Sequence, residues 1–278
     1  MKEVEVFSFD VVKEELSRLR NKNLRTNFFL SEEKLGFLKD GHQTVAYRSD
    51  NGFYFLVEQE GFYKYFFISN DMEDLQANLK LVEEKYGNHI IVSEVVGNED
   101  YLKEINDQFQ GNNFHEYTRL VRMSRMRPEP VHFELPPNIH QLDENKLDEL
   151  QNIYLKYFNK FAEQIPTREE LQKMIEKEDV YYYSDDSRIQ GFIIFENAGI
   201  TSHLRYWFVD PEYRSKKIGS KLMEVFFTKF EQVKREIFWV IDSNENAIKR
   251  YKHFGFNEEK MYNIVLINKK LKYEEQNN

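Results

Sequence analysis

Between Val209 and Leu222 the chain reads Val-Asp-Pro-Glu-Tyr-Arg-Ser-Lys-Lys-Ile-Gly-Ser-Lys-Leu, passing from a strand-like end through a tight loop into a helical period. A helix N-terminus leaves backbone N–H groups unpaired and carries partial positive charge, so this junction favours an anionic phosphate. Arg214, Lys216, Lys217 and Lys221 add charge at the same place. The competing reading is a solvated basic loop before an amphipathic helix.

The elements that must position this loop follow from hydrophobic periodicity. Ile218, Leu222, Val225, Phe226, Phe230 and Val233 share one helical face, Ile237 to Ile241 is a short buried strand, and Ala247, Ile248, Tyr251 and Phe254 form a second helical face ending at Gly255, a C-cap residue. Upstream, residues 131–140 read as a strand and 142–158 as a helix. Thr167-Arg168-Glu169-Glu170 is a capping box that opens another helix. Three strands follow at 180–183, 189–196 and 200–209, and residues 261–267 close the chain with one more.

At 278 residues the chain exceeds one ordinary domain of about 100–200 residues. The seam is placed at the basic, proline-closed stretch Arg122 to Pro130, which predicts domains at 1–127 and 128–278. The first half repeats the element order of the second. Ser31-Glu32-Glu33-Lys34-Leu35 stands against Thr167-Arg168-Glu169-Glu170-Leu171, and Glu58 and Gly61 stand against Glu196 and Gly199. An ancient duplication accounts for this, and two unrelated α/β domains with similar turns are the alternative. The fold class is therefore α/β, two domains, each a mixed central sheet flanked by helices.

With 39 basic and 48 acidic residues, the net charge of −9 argues against broad binding to nucleic acid or anionic lipid. No Cys is present, which excludes disulfides, thiolate metal sites and a cysteine nucleophile; no metal site is expected. No apolar run is long enough for a membrane span, and a cytoplasmic protein is the expectation.

The loop has a spacing that resembles motif A of the GNAT superfamily, the acyl-CoA-dependent N-acyltransferases. The strand ends V-x-P, then R-x-x-G-x-G/A follows. Val209, Pro211, Arg214 and Gly219 match, Ser220 takes the position after the last glycine, and Lys217 replaces the middle glycine. Asn244, Ala247, Tyr251, Gly255 and Phe256 likewise resemble motif B, N-x-x-A-x-x-x-Y-x-x-x-G-F. The resemblance covers roughly residues 130–268.

This resemblance implies a site that binds acetyl-CoA as co-substrate, the pyrophosphate held by loop amides of Arg214, Ser215, Lys216, Lys217, Ile218, Gly219 and Ser220. Phe208 and Val209 line the end of the strand, with an oxyanion contact from backbone N–H near Trp207 to Val209. Asn244 and Tyr251 complete the cofactor contacts. Acyl transfer to an amine needs a neutral amine, a stabilised oxyanion and a proton for the leaving thiolate. Motif B puts Tyr251 in the last role, and a core aromatic is its alternative. His203 and Arg205 alternate with Leu204 and Tyr206, so they share a strand face. The family strand commonly supplies the base, which makes His203 the candidate and Glu196, on the preceding strand, its competitor.

The first half lacks these features. Gly61 to Ile90 spans 29 residues and Gly199 to Ile237 spans 38, so the first copy is nine shorter across the segment that carries motif A. Asp71, Glu73 and Asp74 open the corresponding helix and repel a pyrophosphate. Counting from Asn98 as from Asn244, the Tyr251 position falls on Ile105. Residues 1–127 therefore resemble a degenerate GNAT domain without a coenzyme loop.

The expected function is acyl transfer, most simply acetyl transfer, from acetyl-CoA to a primary amine by direct attack in a ternary complex in the C-terminal domain. A small-molecule amine or a protein amine is the expected acceptor, with no nucleic acid and no membrane involved. A non-catalytic acyl-CoA-binding or interaction module of the same fold is the alternative, and an aminoacyl-donor transferase is a third that the retained phosphate loop disfavours.

Overall fold

The computed structural model describes residues 1–127, 134–214, 216–230 and 232–273. The chain divides into two compact units, Met1–Leu120 with Lys260–Tyr273, and Val121–Glu259.

The first unit begins with β1 (Lys2–Val4), α1 (Phe9–Arg18), β2 (Arg25–Thr26) and α2 (Glu32–Lys39). Then come β3 (Thr44–Arg48), β4 (Gly52–Gln59), β5 (Phe62–Ser69), α3 (Met72–Tyr86), β6 (Ile91–Gly97), α4 (Glu99–Gln110) and β7 (His115–Met126), whose later residues lie in the second unit. The second unit continues with β8 (Ile139–Gln141), α5 (Leu147–Tyr157), α6 (Arg168–Glu176), β9 (Val180–Tyr183), β10 (Gly191–Ala198) and β11 (Thr201–Val209). It ends with α7 (Ile218–Thr228), β12 (Arg235–Ile241) and α8 (Glu245–His253), before β13 (Asn257–Ile267). Apart from the added β2, both halves follow one order, as the repeat predicts.

Local chemistry repeats as well. Ser31 accepts from the Lys34 N–H at 3.2 Å and Thr167 from the Glu170 N–H at 3.2 Å, each capping its helix three residues on. Asn98 and Asn244 cap α4 and α8 in the same way, at 2.9 and 3.0 Å.

Strands of the first unit lie in the order β1-β3-β4-β5-β6-β13, with β2 added to β5. One face packs α3 and α4 over Tyr54, Tyr65, Phe67, Leu79 and Phe109, and the other packs Val12, Phe28 and Leu35 over Phe53 and Phe55. In the second unit the order is β12-β11-β10-β9-β8, and α5 and α6 cover one face with Leu150, Tyr154, Phe158 and Leu171 against Phe192, Ile194, Tyr206 and Phe208. Fully burying side chains of this size stabilises by about 1.5–3 kcal/mol each.

Several sequence expectations change. The last strand was assigned to the second domain, yet from Lys260 onward it lies in the first unit, pairing antiparallel to β6 from Tyr262 opposite Gly97 to Ile267 opposite Val92. The cause is burial: Ile264 and Leu266 complete the core beneath α3 and α4. The basic seam before residue 127 is strand, because Arg125 and Arg127 neutralise the buried carboxylate of Glu236 on β12. Of the strand expected over 131–140, residues 131–133 lie outside the described residues, and regular pairing begins only at Ile139. The helix expected from 142 starts as a 3-10 turn at Glu144–Lys146 capped by Asp143.

Candidate active site

The site of the second unit is built where two parallel strands part. Strand β11 pairs with β12 only through Thr201, Ser202 and His203, opposite Arg235, Glu236 and Ile237. Beyond that point β11 continues to Val209 and β12 to Ile241 without pairing with each other. Unpaired strand edges at an internal opening offer N–H and C=O groups to an extended ligand.

A bulge helps produce the opening. Ile194 lies opposite Tyr206 but Phe195 lies opposite Leu204, leaving Arg205 as the extra residue of β11. Bulges bend a strand and increase its twist. In the first unit the matching pair, β4 with β5, runs from Gly52 opposite Ser69 to Gln59 opposite Phe62 with no shift.

Tyr251 stands across the opening. Its ring lies 5.5 Å from that of Trp207 on β11 and 4.2 Å from that of Phe238 on β12, both beyond the last paired residues. Burial pushes its phenol well above the ordinary value, with Arg250 opposing in part, so the hydroxyl is held protonated at neutral pH. Tyr251 is thus a core aromatic by its ring contacts, with a hydroxyl that keeps its proton at neutral pH.

At the end of β11 the chain makes a 3-10 turn at Pro211–Tyr213 and enters α7. No side chain caps α7, and its first intrahelical amide bond runs from Lys221 N–H to Lys217 O at 3.3 Å. The amides of Ile218, Gly219 and Ser220 are left for an anion. Lys217, which stands at the middle glycine position of the motif, adopts φ +61°, the left-handed conformation that glycine usually serves. Gly219 has another role. A Cβ there would come 2.8 Å from Trp207 Cζ2, so only glycine lets α7 pack against that indole. The corresponding helix α3 is capped by Asp71, which accepts from Asp74 N–H at 2.9 Å, and the Asp74 carboxylate in turn takes the Tyr54 hydroxyl at 2.6 Å. The first copy thus places its own carboxylates where the second leaves room for phosphate.

Among the remaining cofactor candidates, the Phe208 and Ile218 side chains are core residues, so only their backbones are available to a ligand. Val209 is half-buried; Arg214, Lys216 and Ser220 are exposed; Ser215 lies outside the described residues. Lys216 sits over the Tyr213 ring at 4.9 Å. The Asn244 oxygen is used to cap α8.

The base candidates come together at the bulge. His203 and Glu196 are cross-strand partners, and Arg205 donates to the Glu196 carboxylate at 3.2 Å. The sequence expectation that alternation puts His203 and Arg205 on one face does not hold strictly, because the bulge interrupts the alternation; the ion pair to Glu196 is what ties Arg205 to this pair of strands. Two carboxyls, Glu163 half-buried and Asp179 buried, escaped the sequence reading. Glu163, in the loop between α5 and α6, is held up at about 7 by burial, and Asp179 at about 6 by burial and the nearby Glu196 charge. Extending the repeat by four residues upstream of the Ser31 and Thr167 caps would have pointed to Glu163, whose counterpart is Asn27.

In the first unit the corresponding opening is filled by the chain itself. Strands β5 and β6 pair only at Tyr63 with Ile91 and Lys64 with Val92. Thr26 then pairs with Ile68, and Asn27 donates to Tyr65 O and Ser93 Oγ, both at 3.0 Å, while accepting from Phe67 N–H at 2.8 Å. Helix α4 holds this insert through Tyr101, whose hydroxyl donates to Thr26 O at 2.9 Å, and Glu104, paired with Arg25 at 2.9 Å.

No helix of the described residues is long and apolar enough to cross a membrane, and no group of His, Cys, Asp or Glu among them is arranged to hold a metal. Residues 142–262 match the family described as the acetyltransferase (GNAT) domain. Comparison with curated protein sequences finds no match. Among solved structures, the chain is similar to a GCN5-related N-acetyltransferase from Sphaerobacter thermophilus, with TM-score 0.59, 12% identity and 85% of each chain covered. A GNAT-family acetyltransferase from Colwellia psychrerythraea aligns with TM-score 0.57 and 13% identity over 96% of this chain and 99% of that one. A tandem GNAT protein from the clavulanic acid biosynthesis pathway aligns with TM-score 0.54 and 9% identity, over 93% and 87%. At these identities the structural likeness speaks for the fold, and the motif-bearing domain for the family. Residues 142–262 thus match the GNAT acetyltransferase family, within a chain whose fold is similar to that of a tandem GNAT protein.

Proposed function

We propose that the second unit transfers an acetyl group from acetyl-CoA to a primary amine by direct attack in a ternary complex. The observation that carries this reading is Tyr251 lying between Trp207 and Phe238 at the mouth of the β11/β12 opening, in the same unit as an uncapped α7. The amides of Ile218, Gly219 and Ser220 hold the pyrophosphate, with positive charge from Arg214 and Lys216. The pantetheine arm lies along the unpaired edge of β11, and a backbone N–H between Trp207 and Val209 receives the carbonyl oxygen.

The amine enters protonated and loses one proton to a base. Its lone pair then attacks the thioester carbon, a C–N bond forms, and the carbonyl electron pair moves to oxygen. As the C=O bond re-forms, the C–S bond breaks with its pair leaving on sulfur. Tyr251 protonates that thiolate and regains a proton from the nitrogen. The products are an amide, free coenzyme A and one proton released to solvent.

His203, Glu196 and Arg205 form the polar end of this site. The Arg205 guanidinium engages the Glu196 carboxylate at 3.2 Å, which favours a role for this pair in orienting the acceptor, with His203 as the cross-strand neighbour of Glu196. The net charge of −9 suits a cationic acceptor, a small amine or a protein amine. The test is thiol release from acetyl-CoA against a panel of polyamines, aminoglycosides and peptide amines. Acceptor-dependent release supports the enzyme; binding of acetyl-CoA with no release under any acceptor supports a non-catalytic acyl-CoA-binding module.

A further inference from the structure

We propose that the Glu163 carboxylate, in the loop between α5 and α6, is the base that takes the proton from the incoming amine. This rests on the acyl-transfer reading and supplies the proton acceptor that it leaves open.

The internal repeat locates the residue. Asn27 lies four residues before the Ser31 cap, and its side chain spans the first unit's strand opening, touching Tyr65 and Phe67 on one rim and Ser93 on the other. Glu163 lies four residues before the Thr167 cap. The two loops differ in what fastens them. Where β2 adds to β5 in the first unit, the second loop is tied to β11 through the Tyr206 hydroxyl, which donates to Glu163 O at 3.1 Å and to Gln164 O at 2.5 Å. Tyr206 follows the bulge residue Arg205 directly, so the tether reaches the stretch of β11 that parts from β12. The second unit therefore keeps the loop at its opening but carries a carboxylate where the first unit carries a sealing amide.

The surroundings of Glu163 suit proton transfer. Its carboxylate accepts from Asn159 N–H at 2.5 Å, which fixes its position. The groups facing it are Tyr154 from α5 and Tyr206 from β11, both phenols raised by burial; Arg205 and Glu170 act electrostatically on Tyr206. Burial outweighs the Asn159 contact and leaves the carboxyl near neutrality. Such a group is ionised often enough to accept a proton at neutral pH and basic enough to hold it. Glu196 differs in that its charge is committed to Arg205. The transfer itself is R–NH₃⁺ with Glu163 carboxylate giving R–NH₂ and Glu163 carboxylic acid, the proton passing afterwards to solvent.

The experiment uses the full chain with acetyl-CoA and water as acceptor, following thiol release from about pH 5.5 to 9, since water attack needs the same base. Wild type should show a rate that rises through about pH 7. Glu163→Gln keeps an oxygen for Asn159, so it should retain or raise the thermal midpoint and keep acetyl-CoA affinity while losing at least about ten-fold in rate and the acidic limb. Glu163→Asp should recover part of both. An unchanged rate and limb in Glu163→Gln overturns the proposal, as does a limb that survives there and disappears in His203→Gln. Should Glu163→Gln fail to fold, the wild-type carboxyl resonance decides: a midpoint near 7 that moves when acetyl-CoA binds supports the role, and one that does not move overturns it. A wild type that fails to bind acetyl-CoA in calorimetry overturns the acyl-transfer reading itself, and this proposal with it.

Discussion

The indole Nε1 of Trp207 donates to the carbonyl oxygen of Gly219 at 3.1 Å, joining the end of β11 to the first turn of α7. The same indole faces Tyr251 on α8, at 5.5 Å between ring centroids. One side chain therefore sets the proposed phosphate-binding turn and the proposed acid in register. The packing is close enough that position 219 admits no Cβ without displacing the ring.

Gly219→Ala should therefore disturb both parts together. Displacing the indole moves the amides of α7, and acetyl-CoA affinity should fall by about ten-fold or more, the scale of one lost charge-assisted hydrogen bond. Lys217→Gly should behave oppositely. It removes a left-handed non-glycine residue whose cost is about 1–2 kcal/mol, partly offset by the freer unfolded chain, so thermal stability should hold or rise. Calorimetry and thermal denaturation of the two variants check the contrast.

Tyr251→Phe keeps the aromatic contacts with Trp207 and Phe238, so fold and acetyl-CoA affinity should persist. Turnover should drop by roughly 10² or more. Because burial raises the phenol above its ordinary value, wild-type turnover should show no alkaline decline from this group below about pH 10. A decline centred near neutral pH that vanishes in Tyr251→Phe contradicts the assignment.

How much of this was legible beforehand depends on the range of the interaction. The cap at Thr167, the matching Ser31 and the helix with Met72, Leu75, Leu79, Val82 and Tyr86 on one face follow from local spacing, and the structure has them where the spacing puts them. Non-local matters were hidden. Nothing near residue 260 reveals that Ile264 and Leu266 complete a core built some 170 residues earlier in the chain. The bulge at Arg205 cannot be read from alternation, because a bulge is an extra residue relative to a partner strand. Glu163 was overlooked since an acid in a polar loop carries no sign of burial, and Trp207 because its role is to fill the space that Gly219 leaves.

Asp179 gives the second unit a pH dependence. Its carboxyl is raised to about 6, first by burial and then by the Glu196 charge. A group raised on folding contributes stability that is complete below its unfolded value, about 4, and is lost as pH climbs through the folded value. Stability should therefore decline between about pH 4 and 6 from this group, and Asp179→Asn should remove that share of the decline, leaving the share from Glu163, and gain about 1–3 kcal/mol at neutral pH. Denaturation midpoints across pH check this; a variant that is less stable at neutral pH contradicts it.

Asn27 seals the opening of the first unit, so its loss should unfold that unit more easily without creating a site. Asn27→Ala leaves the buried Phe67 N–H without its partner and removes one of the two bonds to Tyr65 O, the other coming from Ser93 Oγ, and should cost about 1–3 kcal/mol. The number of acetyl-CoA molecules bound per chain should not increase, because Asp71 and Asp74 still occupy the start of α3. Appearance of a second equivalent in this variant would show that the insert, and not the missing phosphate loop, is what keeps the ligand out.

The central claim is that one acetyl-CoA binds per chain at the start of α7. The most direct measurement is a titration followed by amide and indole NMR shifts, with calorimetry for the stoichiometry. One equivalent is expected, with the largest changes at the amides of Ile218, Gly219 and Ser220 and at the Trp207 indole N–H, and none at the start of α3. Two equal equivalents, changes centred on Asp71 to Asp74, or no binding at all would contradict it.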